Sequence, residues 1–161
     1  MMCKSGHSFM KSKLLETGAL LEGEMSDHIF IKDRWYGFDD GLFVTAQILE
    51  ILSIDLRKSR QIFAKLPDAL NTPEILIATP DAHGIIEKLD PNNAHFNGGN
   101  VITIDGVRVE YTDGWWLVRA SNISDNLTMR FEADNEKALQ RIANSFKAAL
   151  MEVEPGLEFP F

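Results

Sequence analysis

The sequence predicts an α+β fold in which one face of an antiparallel sheet is covered by helices. Residues 101–134 contain apolar-rich runs broken at Asp105-Gly106 and Asp113-Gly114, and Asp-Gly between alternating runs is the strongest short-range signal for a hairpin. In the last run, 127–132, apolar and polar residues alternate, as in a strand with one buried face. The segment after Asp134 has apolar residues at helical spacing: Leu139, Ile142, Phe146, Leu150 and Val153. Together these features predict a meander followed by an amphipathic helix.

The first 66 residues predict short helices and strands. A helix is expected at 8–15, a buried strand at 19–22 and a second strand at 29–32. A further helix is expected at 59–66, where Pro67 ends it because the residue before proline is disfavoured in the α region.

An apolar run at 42–54, LFVTAQILEILSI, follows Asp39-Asp40-Gly41. An aspartate just before an apolar helix caps its first turn and contributes roughly 1 kcal/mol relative to alanine. Because apolar residues occupy nearly the whole circumference of this helix, we expect it to be buried on several sides.

A domain boundary is predicted at LPDALNTP, residues 66–73, which contains two prolines and several turn formers. Four further segments are predicted around the meander: a strand at 75–79, a helix at 80–89 that begins with proline, a loop at 90–100 and an irregular tail at 155–161. The final helix is expected to begin at Asp134.

The composition excludes several classes of partner. With 161 residues, 45% of them hydrophobic, the chain suffices for one domain, or for a small domain and part of another. Its net charge of −8 disfavours nucleic acid and anionic membranes. The single cysteine, Cys3, excludes an intrachain disulfide, and no apolar run has the length of a signal peptide or a membrane span. We therefore expect a cytoplasmic protein without nucleic-acid or membrane partners.

The segment 119–124, RASNIS, has the composition of a phosphate-holding loop. It places Arg119, Ser121 and Asn122 at a strand end, where backbone N–H groups that point outward could form an anion-binding nest. Turns are built from the same residue types, so a polar hairpin tip with an outward arginine is the alternative.

Glu24, Ser26 and His28 are spaced at i, i+2 and i+4 after Gly23. In an extended segment this spacing projects all three side chains from one side, where they could hydrogen-bond the vicinal hydroxyls of a sugar. A solvated edge strand is the alternative.

Three motifs in order resemble the bacterial phosphomannomutase/phosphoglucomutase enzymes of the α-D-phosphohexomutase family. RASNISDNLTMRFEAD, residues 119–134, is similar to the phosphate-binding loop of the family and the strand that follows it. GEMSDHIFIKDRWYGFDDG, residues 23–41, resembles its sugar-recognition segment GEMSGH and the elements beyond. KSGHS, residues 4–8, resembles the K(T/S)GHS segment upstream.

The resemblance implies a domain organisation. Residues 1–66 correspond to the C-terminal part of an α/β third domain, 67–73 to a hinge linker and 74–161 to the fourth domain. That fourth domain has a fold similar to the TATA-box-binding protein, an antiparallel sheet with helices on one face.

The resemblance also implies an activity, the interconversion of mannose or glucose 1- and 6-phosphates. In the family, a phosphoserine in the first domain gives its phosphoryl group to the sugar, a bisphosphate intermediate reorients, and Mg²⁺ held by a DGDGDR-type loop of the second domain supports the transfer. Neither the serine motif nor the DGDGD cluster occurs in this sequence. We therefore expect the chain to begin inside the third domain, to need N-terminal domains as partners, and to be inactive alone.

Site roles follow residue by residue from the same resemblance. Glu24 and Ser26 match residues that bind the sugar hydroxyls. His28 and His7 match active-site histidines near the transferring group, where an ordinary imidazole could assist proton transfer. The non-reacting phosphate would be held by Arg119, Ser121 and Asn122. No residue of this chain is implied as a metal ligand.

Three positions depart from the family pattern. Asp27 replaces a glycine, which would strain the backbone if a positive φ is required there. Ile123 replaces a hydroxyl residue, and Asp125 replaces a proline while adding a like charge near the anion. Each departure favours weaker binding. The alternatives to an enzyme are a sugar-phosphate-binding module without catalysis and a non-functional remnant that still folds. We also expect self-association through residues 1–65, where a partial domain would leave apolar surface uncovered.

Overall fold

The computed structural model describes residues 1–122 and 124–160. Contacts between residues divide the chain into two units, Met1–Pro67 and Asp68–Phe161. Each unit has its own hydrophobic core. In the described part of the chain, no helix combines the length and the apolar character needed to cross a bilayer.

The first unit consists of three helices and a two-stranded antiparallel sheet. Its elements are α1 (His7–Thr17), β1 (Leu21–Gly23), β2 (Ile29–Ile31), α2 (Gly41–Ile54) and α3 (Ser59–Phe63). A small core of Met10, Leu14 and Phe30 joins α1 to β2. The strand predicted at 19–22 begins later and is not buried, because Leu21 has 64% of its surface exposed.

Helix α2 begins where the sequence predicted, but it is not buried. The Asp40 side chain accepts hydrogen bonds from the backbone N–H groups of Leu42 and Phe43, both at 3.0 Å, which confirms the predicted cap. Every residue of α2 is nevertheless exposed or half-buried, and Leu42 is 86% exposed. The expectation of burial on several sides is wrong for this chain, because a two-stranded sheet is too small to cover an all-round apolar helix.

The second unit is an antiparallel sheet with helices α4 and α5. Its elements are β3 (Leu70–Asn71), β4 (Ile75–Ala78), α4 (Ala82–Lys88), a 3₁₀ turn (Ala94–Phe96), β5 (Asn100–Ile102), β6 (Val107–Tyr111), β7 (Gly114–Ala120), β8 (Asn126–Ala133) and α5 (Glu136–Val153). The strand order is β3-β8-β7-β6-β5, and β4 also pairs with β8. The run β5 to β8 is the predicted meander, and the predicted α+β architecture is confirmed.

Strand β3 lies inside the segment 67–73 that the sequence predicted to be a linker. Leu70 and Asn71 pair with Ala133 and Glu132 of β8, and the N–H of Thr72 donates to the carbonyl of Phe131 at 3.0 Å. Part of this segment is therefore bound to the sheet of the second unit.

Helix α5 covers the sheet with the face that the sequence predicted. Ile142, Phe146 and Leu150 are fully buried, and Phe146 meets Trp116 of β7 and Phe131 of β8 edge-to-face. The helix begins at Glu136, two residues later than expected, because the Asn135 side chain caps it by accepting from the N–H of Ala138.

The opposite face of β8 is less exposed than alternation alone predicts. Arg130 and Glu132 are half-buried, but Thr128 has only 8% of its surface exposed. Thr128 lies between Leu76 of β4 and Arg119 of β7, which pair with it from the two sides. Neighbouring strands thus cover a residue that was expected to face water.

Candidate functional site

Two histidines of the first unit converge on one carboxylate. Oδ2 of Asp39 lies 2.7 Å from Nδ1 of His28 and 3.5 Å from Nε2 of His7. The two imidazole rings meet edge-to-face with centroids 4.4 Å apart. His7 opens α1, His28 directly precedes β2, and Asp39 forms an isolated bridge with Phe30 of β2. The fold therefore brings together the two histidines that the sequence singled out.

Asp39 is a site residue that the sequence reasoning missed. The hydrogen bond from His28 is the main reason why the pKa of Asp39 lies below its ordinary value; burial opposes it, while the N–H of Ile29 and both histidines assist. Asp39 is thus an ionised acceptor, and Nδ1 of His28 must carry the proton that it donates. The sequence Asp39-Asp40-Gly41 offered an indication of this role. A helix cap uses only one of the two aspartates, so the other is left for a different contact.

A turn brings together Glu24, Ser26 and His28. The extended segment that the sequence suggested at these positions is not present. The N–H of Glu24 donates to the carbonyl of His28 at 2.9 Å, so the segment closes the hairpin between β1 and β2. Asp27 has a φ of 66°, in the left-handed region that glycine adopts most easily. Strain at Asp27 was expected only if φ is positive there, and the structure meets that condition.

The Glu24 carboxylate is held from both sides. One oxygen accepts from the N–H of Gly6 at 2.6 Å and the other from the hydroxyl of Ser26 at 2.9 Å. Burial acts to raise the pKa of Glu24, but these two hydrogen bonds and the nearby histidines outweigh it and lower the pKa. Glu24 also lines a cleft of about 480 Å³ beside Lys4 and Ser5, so it is a fixed, ionised acceptor at the edge of an open space.

Arg119 lies near the end of β7 and on the face opposite the core. Its neighbours in the strand, Val118 and Ala120, are buried in the core, so alternation directs Arg119 to the other face. The guanidinium forms neither a hydrogen bond nor an ion pair with any residue that the structure describes. It is therefore available to an anion.

The loop between β7 and β8 is held by its own polar groups. The N–H of Ser121 donates to the carbonyl of Asn126 at 2.9 Å, and the hydroxyl of Ser124 donates to Oγ of Ser121 at 2.9 Å. The expectation of a nest with free N–H groups is wrong for Ser121, whose N–H is used to close the hairpin. Asn122 is exposed, and Ile123 lies outside the described residues.

A cleft of about 380 Å³ lies between this loop and the start of α4. Ser121, Asn122 and Ser124 line it together with His83, an imidazole that the sequence reasoning did not single out. Asp81 and Asp125 also line it. Two carboxylates beside these hydroxyl and amide groups disfavour an anion by like-charge repulsion, so the structure places the Asp125 departure at the cleft itself.

Family models match both units. Residues 1–70 match the model described as "Phosphoglucomutase/phosphomannomutase, alpha/beta/alpha domain III". Residues 56–149 match "Phosphoglucomutase/phosphomannomutase, C-terminal domain". The chain belongs to the phosphoglucomutase/phosphomannomutase family.

Individual members of this family resemble the chain over its whole length. It is 50% identical to a phosphomannomutase/phosphoglucomutase of Pseudomonas putida over 163 residues, which cover 100% of this chain and 35% of that protein. It is 50% identical to a phosphoglucomutase of Neisseria meningitidis, with 99% and 35% covered. A crystal structure of a family protein from Burkholderia thailandensis matches with a TM-score of 0.90 and 48% identity, covering 100% of this chain and 34% of that one. The chain thus spans about a third of its relatives and corresponds to their C-terminal part.

Phosphohexomutases generally depend on a metal ion, and the resemblance implies Mg²⁺. Among the described residues, one group of three side chains could hold an ion, namely His7, His28 and Asp39. Mg²⁺ prefers six oxygen ligands in octahedral geometry. Two imidazoles and one carboxylate do not fit that preference, so we derive no step of the reaction through Mg²⁺ at this cluster.

Proposed function

We propose that this chain orients the substrate in a phosphomannomutase/phosphoglucomutase that interconverts hexose 1-phosphates and 6-phosphates. The observation that supports this role best is the arrangement of the first unit. A carboxylate fixed by two hydrogen bonds, Glu24, lies on the same hairpin as His28, which Asp39 orients. A fixed carboxylate can accept hydrogen bonds from sugar hydroxyls, and an oriented imidazole can exchange a proton with the hydroxyl that receives a phosphoryl group.

The protonation pattern of His28 suits this task. Because Asp39 holds the proton on Nδ1, the lone pair of His28 is on Nε2 and is free to accept a proton. His7 lies against both His28 and Asp39 and would stabilise the arrangement from the side of α1. We infer that His28 is the proton acceptor of the pair and that Glu24 and Ser26 bind the sugar ring.

The second unit would hold the phosphate that is not transferred. Phosphoryl transfer depends mainly on positioning and charge neutralisation, so a residue that holds the idle phosphate contributes to the reaction. We assign this role to the guanidinium of Arg119 with the hydroxyl of Ser121 and the amide of Asn122. Arg119 is suited to it because arginine forms paired, charge-assisted hydrogen bonds to phosphate.

We further propose that the 161-residue chain alone is inactive, because its sequence lacks the serine and metal-loop motifs of the family. A complementation experiment tests both statements. The chain is mixed with the remaining N-terminal part of the Pseudomonas putida relative and assayed with glucose 1-phosphate. The mixture should turn over at an ordinary rate of roughly a few per second, and neither part should do so alone. Turnover by the chain alone would contradict its inactivity.

Titration of the chain with mannose 6-phosphate tests binding separately. Saturable shifts of the Ser121 and Asn122 amide resonances are expected. Arg119→Gln should raise the Kd for mannose 6-phosphate about tenfold, because one charge-assisted contact is lost. Arg130→Gln is the matched control, because Arg130 is a second arginine of the same sheet and bonds to Asn71. If millimolar mannose 6-phosphate produced no shift of these amide resonances, both the catalytic and the binding role would be contradicted. Binding without restored turnover would leave a sugar-phosphate-binding module.

A further inference from the structure

The cluster of His7, His28 and Asp39 has the composition of a transition-metal site. One imidazole nitrogen from each histidine and one carboxylate oxygen all lie within 4.8 Å of one another. In a tetrahedral zinc site with bonds of 2.0–2.1 Å, ligand atoms are separated by about 3.3 Å. The 3.5 Å between His7 and Asp39 is already close to this value, and the 2.7 Å between His28 and Asp39 must open slightly. We propose that these three side chains bind a divalent ion of the Zn²⁺ class.

The donor set decides which ions fit. Imidazole nitrogen suits Zn²⁺, Ni²⁺ and Cu²⁺, whereas Mg²⁺ prefers oxygen donors and gives up its water reluctantly. Three protein ligands also leave the fourth tetrahedral position to water, as in open zinc sites. The side chains of His7 and His28 are 56% and 41% exposed, so an ion and its water can enter from solvent.

Neighbouring groups hold the ligands in place before an ion arrives. The second oxygen of Asp39 accepts from the N–H of Ile29 at 3.2 Å, which fixes the carboxylate plane. Gly6, directly before His7, donates its N–H to Glu24 at 2.6 Å and so fixes the start of α1. Supporting hydrogen bonds of this kind orient metal ligands and increase affinity. The ionised Glu24 adds favourable negative charge nearby.

Binding of the ion would prevent the proposed proton transfer. To bind the metal, Nδ1 of His28 must give up its proton to solvent, and Nε2 takes up a proton from solvent, so the ring stays neutral and no net proton is released. The neutral imidazole coordinated through Nδ1 then carries its one proton on Nε2, so Nε2 can no longer accept one. The ion is therefore an inhibitor and not a cofactor. This consequence depends on the proposed function, whereas the binding itself does not.

Titration of the chain with Zn²⁺ alone tests the site. Calorimetry should give one ion per chain, and long-range ¹⁵N–¹H spectra should show the imidazole nitrogens of His7 and His28 shifting together. His7→Gln and Asp39→Asn should each weaken binding at least about tenfold, as expected when one metal ligand or its partner is lost. His83→Gln is the matched control, since His83 is exposed and lies in the second unit. Mg²⁺ at the same concentration should shift neither histidine.

Two outcomes would overturn the inference. One is the absence of any saturable shift at His7 and His28 up to about 1 mM Zn²⁺, a limit that corresponds to very weak binding. The other is binding that moves His95 or His83 while His7 and His28 stay unchanged. Because His7 is mostly exposed, His7→Gln should keep the fold, and its amide spectrum verifies this. If the chain binds Zn²⁺ but not mannose 6-phosphate, the result would support the metal site and contradict only the proposed function.

Discussion

Nδ1 of His28 lies 2.7 Å from Oδ2 of Asp39, eleven residues further along the chain. An ionised carboxylate can only accept a hydrogen bond, so this pair places the imidazole proton on Nδ1. Asp39→Asn should remove that constraint and shift neutral His28 towards the form protonated on Nε2. Long-range ¹⁵N–¹H spectra at about pH 8, where an ordinary imidazole is neutral, distinguish the two forms.

Asp40→Asn is the control for this substitution. It also exchanges an aspartate for its amide, but asparagine caps a helix as well as aspartate does, and Asp40 bonds to Leu42, Phe43 and Trp35, not to His28. An unchanged ratio of the two imidazole forms in Asp39→Asn would show that Asp39 does not set the proton position.

Gly106, in the turn between β5 and β6, should be far more sensitive to alanine than Gly98. Both have a positive φ, 72° and 80°. A Cβ at Gly106 would lie 2.2 Å from the carbonyl oxygen of Val118 and 2.7 Å from Cα of Arg119, whereas the space at Gly98 is open. Gly98→Ala should cost about 1 kcal/mol of backbone strain, and Gly106→Ala well over 3 kcal/mol, because strain and a clash with backbone add.

Urea unfolding measures this difference. Gly106→Ala should also move the amide resonances of Arg119 and Ser121, since the clash is with the strand that leads into the loop. Equal losses of stability at the two glycines would contradict the close approach between the β5–β6 turn and β7.

Local patterns were sufficient to predict the meander and the last helix of the second unit, and long-range contacts explain what was missed elsewhere. The Asp-Gly pairs and the spacing of Ile142, Phe146 and Leu150 each depend on neighbours in sequence. The turn at Glu24–His28 cannot be predicted from neighbours in sequence, because the same alternation of polar residues suits an extended strand. Whether this segment forms a turn or a strand depends on the pairing of β1 with β2. The role of Asp39 likewise depends on two histidines that are distant in sequence.

Glu152 of α5 should make the second unit sensitive to acid. Hydrogen bonds from Asn93 and then from His95, each at 2.7 Å, lower the pKa of Glu152 from its ordinary value of 4.5. A carboxyl group with a lower pKa in the folded state stabilises that state above its unfolded pKa, and the contribution is lost as the pH falls through the folded pKa. Glu152→Gln should therefore lose less stability than the parent as the pH is lowered from neutral to below 4.5.

Thermal unfolding across this pH range provides the measurement. Glu87→Gln is the control, because Glu87 is an exposed glutamate of α4 with neither a hydrogen bond nor an ion pair to the described part of the chain. Parallel pH profiles for the parent and Glu152→Gln would show that the contacts of Asn93 and His95 with α5 contribute nothing to acid stability.

The exposed apolar surface of α2 should cause the isolated chain to associate. Leu42, Leu49 and Ile54 are 86%, 61% and 74% exposed, although apolar patches of this kind normally mark an interface. The family model that matches residues 1–70 describes an alpha/beta/alpha domain, whereas the sheet beside α2 has two strands. A larger sheet or a second copy of the chain would be needed to cover the helix. We therefore expect dimers or larger species in sedimentation, and Leu49→Glu should shift them to monomers because it puts a charge on the contact surface.

Ser12→Glu adds the same charge to an exposed position of α1 and should leave association unchanged. If the N-terminal part of a relative covers α2 in the complemented enzyme, adding that part should dissociate the oligomers. Leu49→Glu should then weaken complementation as well. If the chain sediments as a monomer at millimolar concentration and keeps its helix content, the apolar surface of α2 remains solvent-exposed without a partner, which would contradict the prediction. Self-association that persists in Leu49→Glu would place the contact elsewhere in the chain.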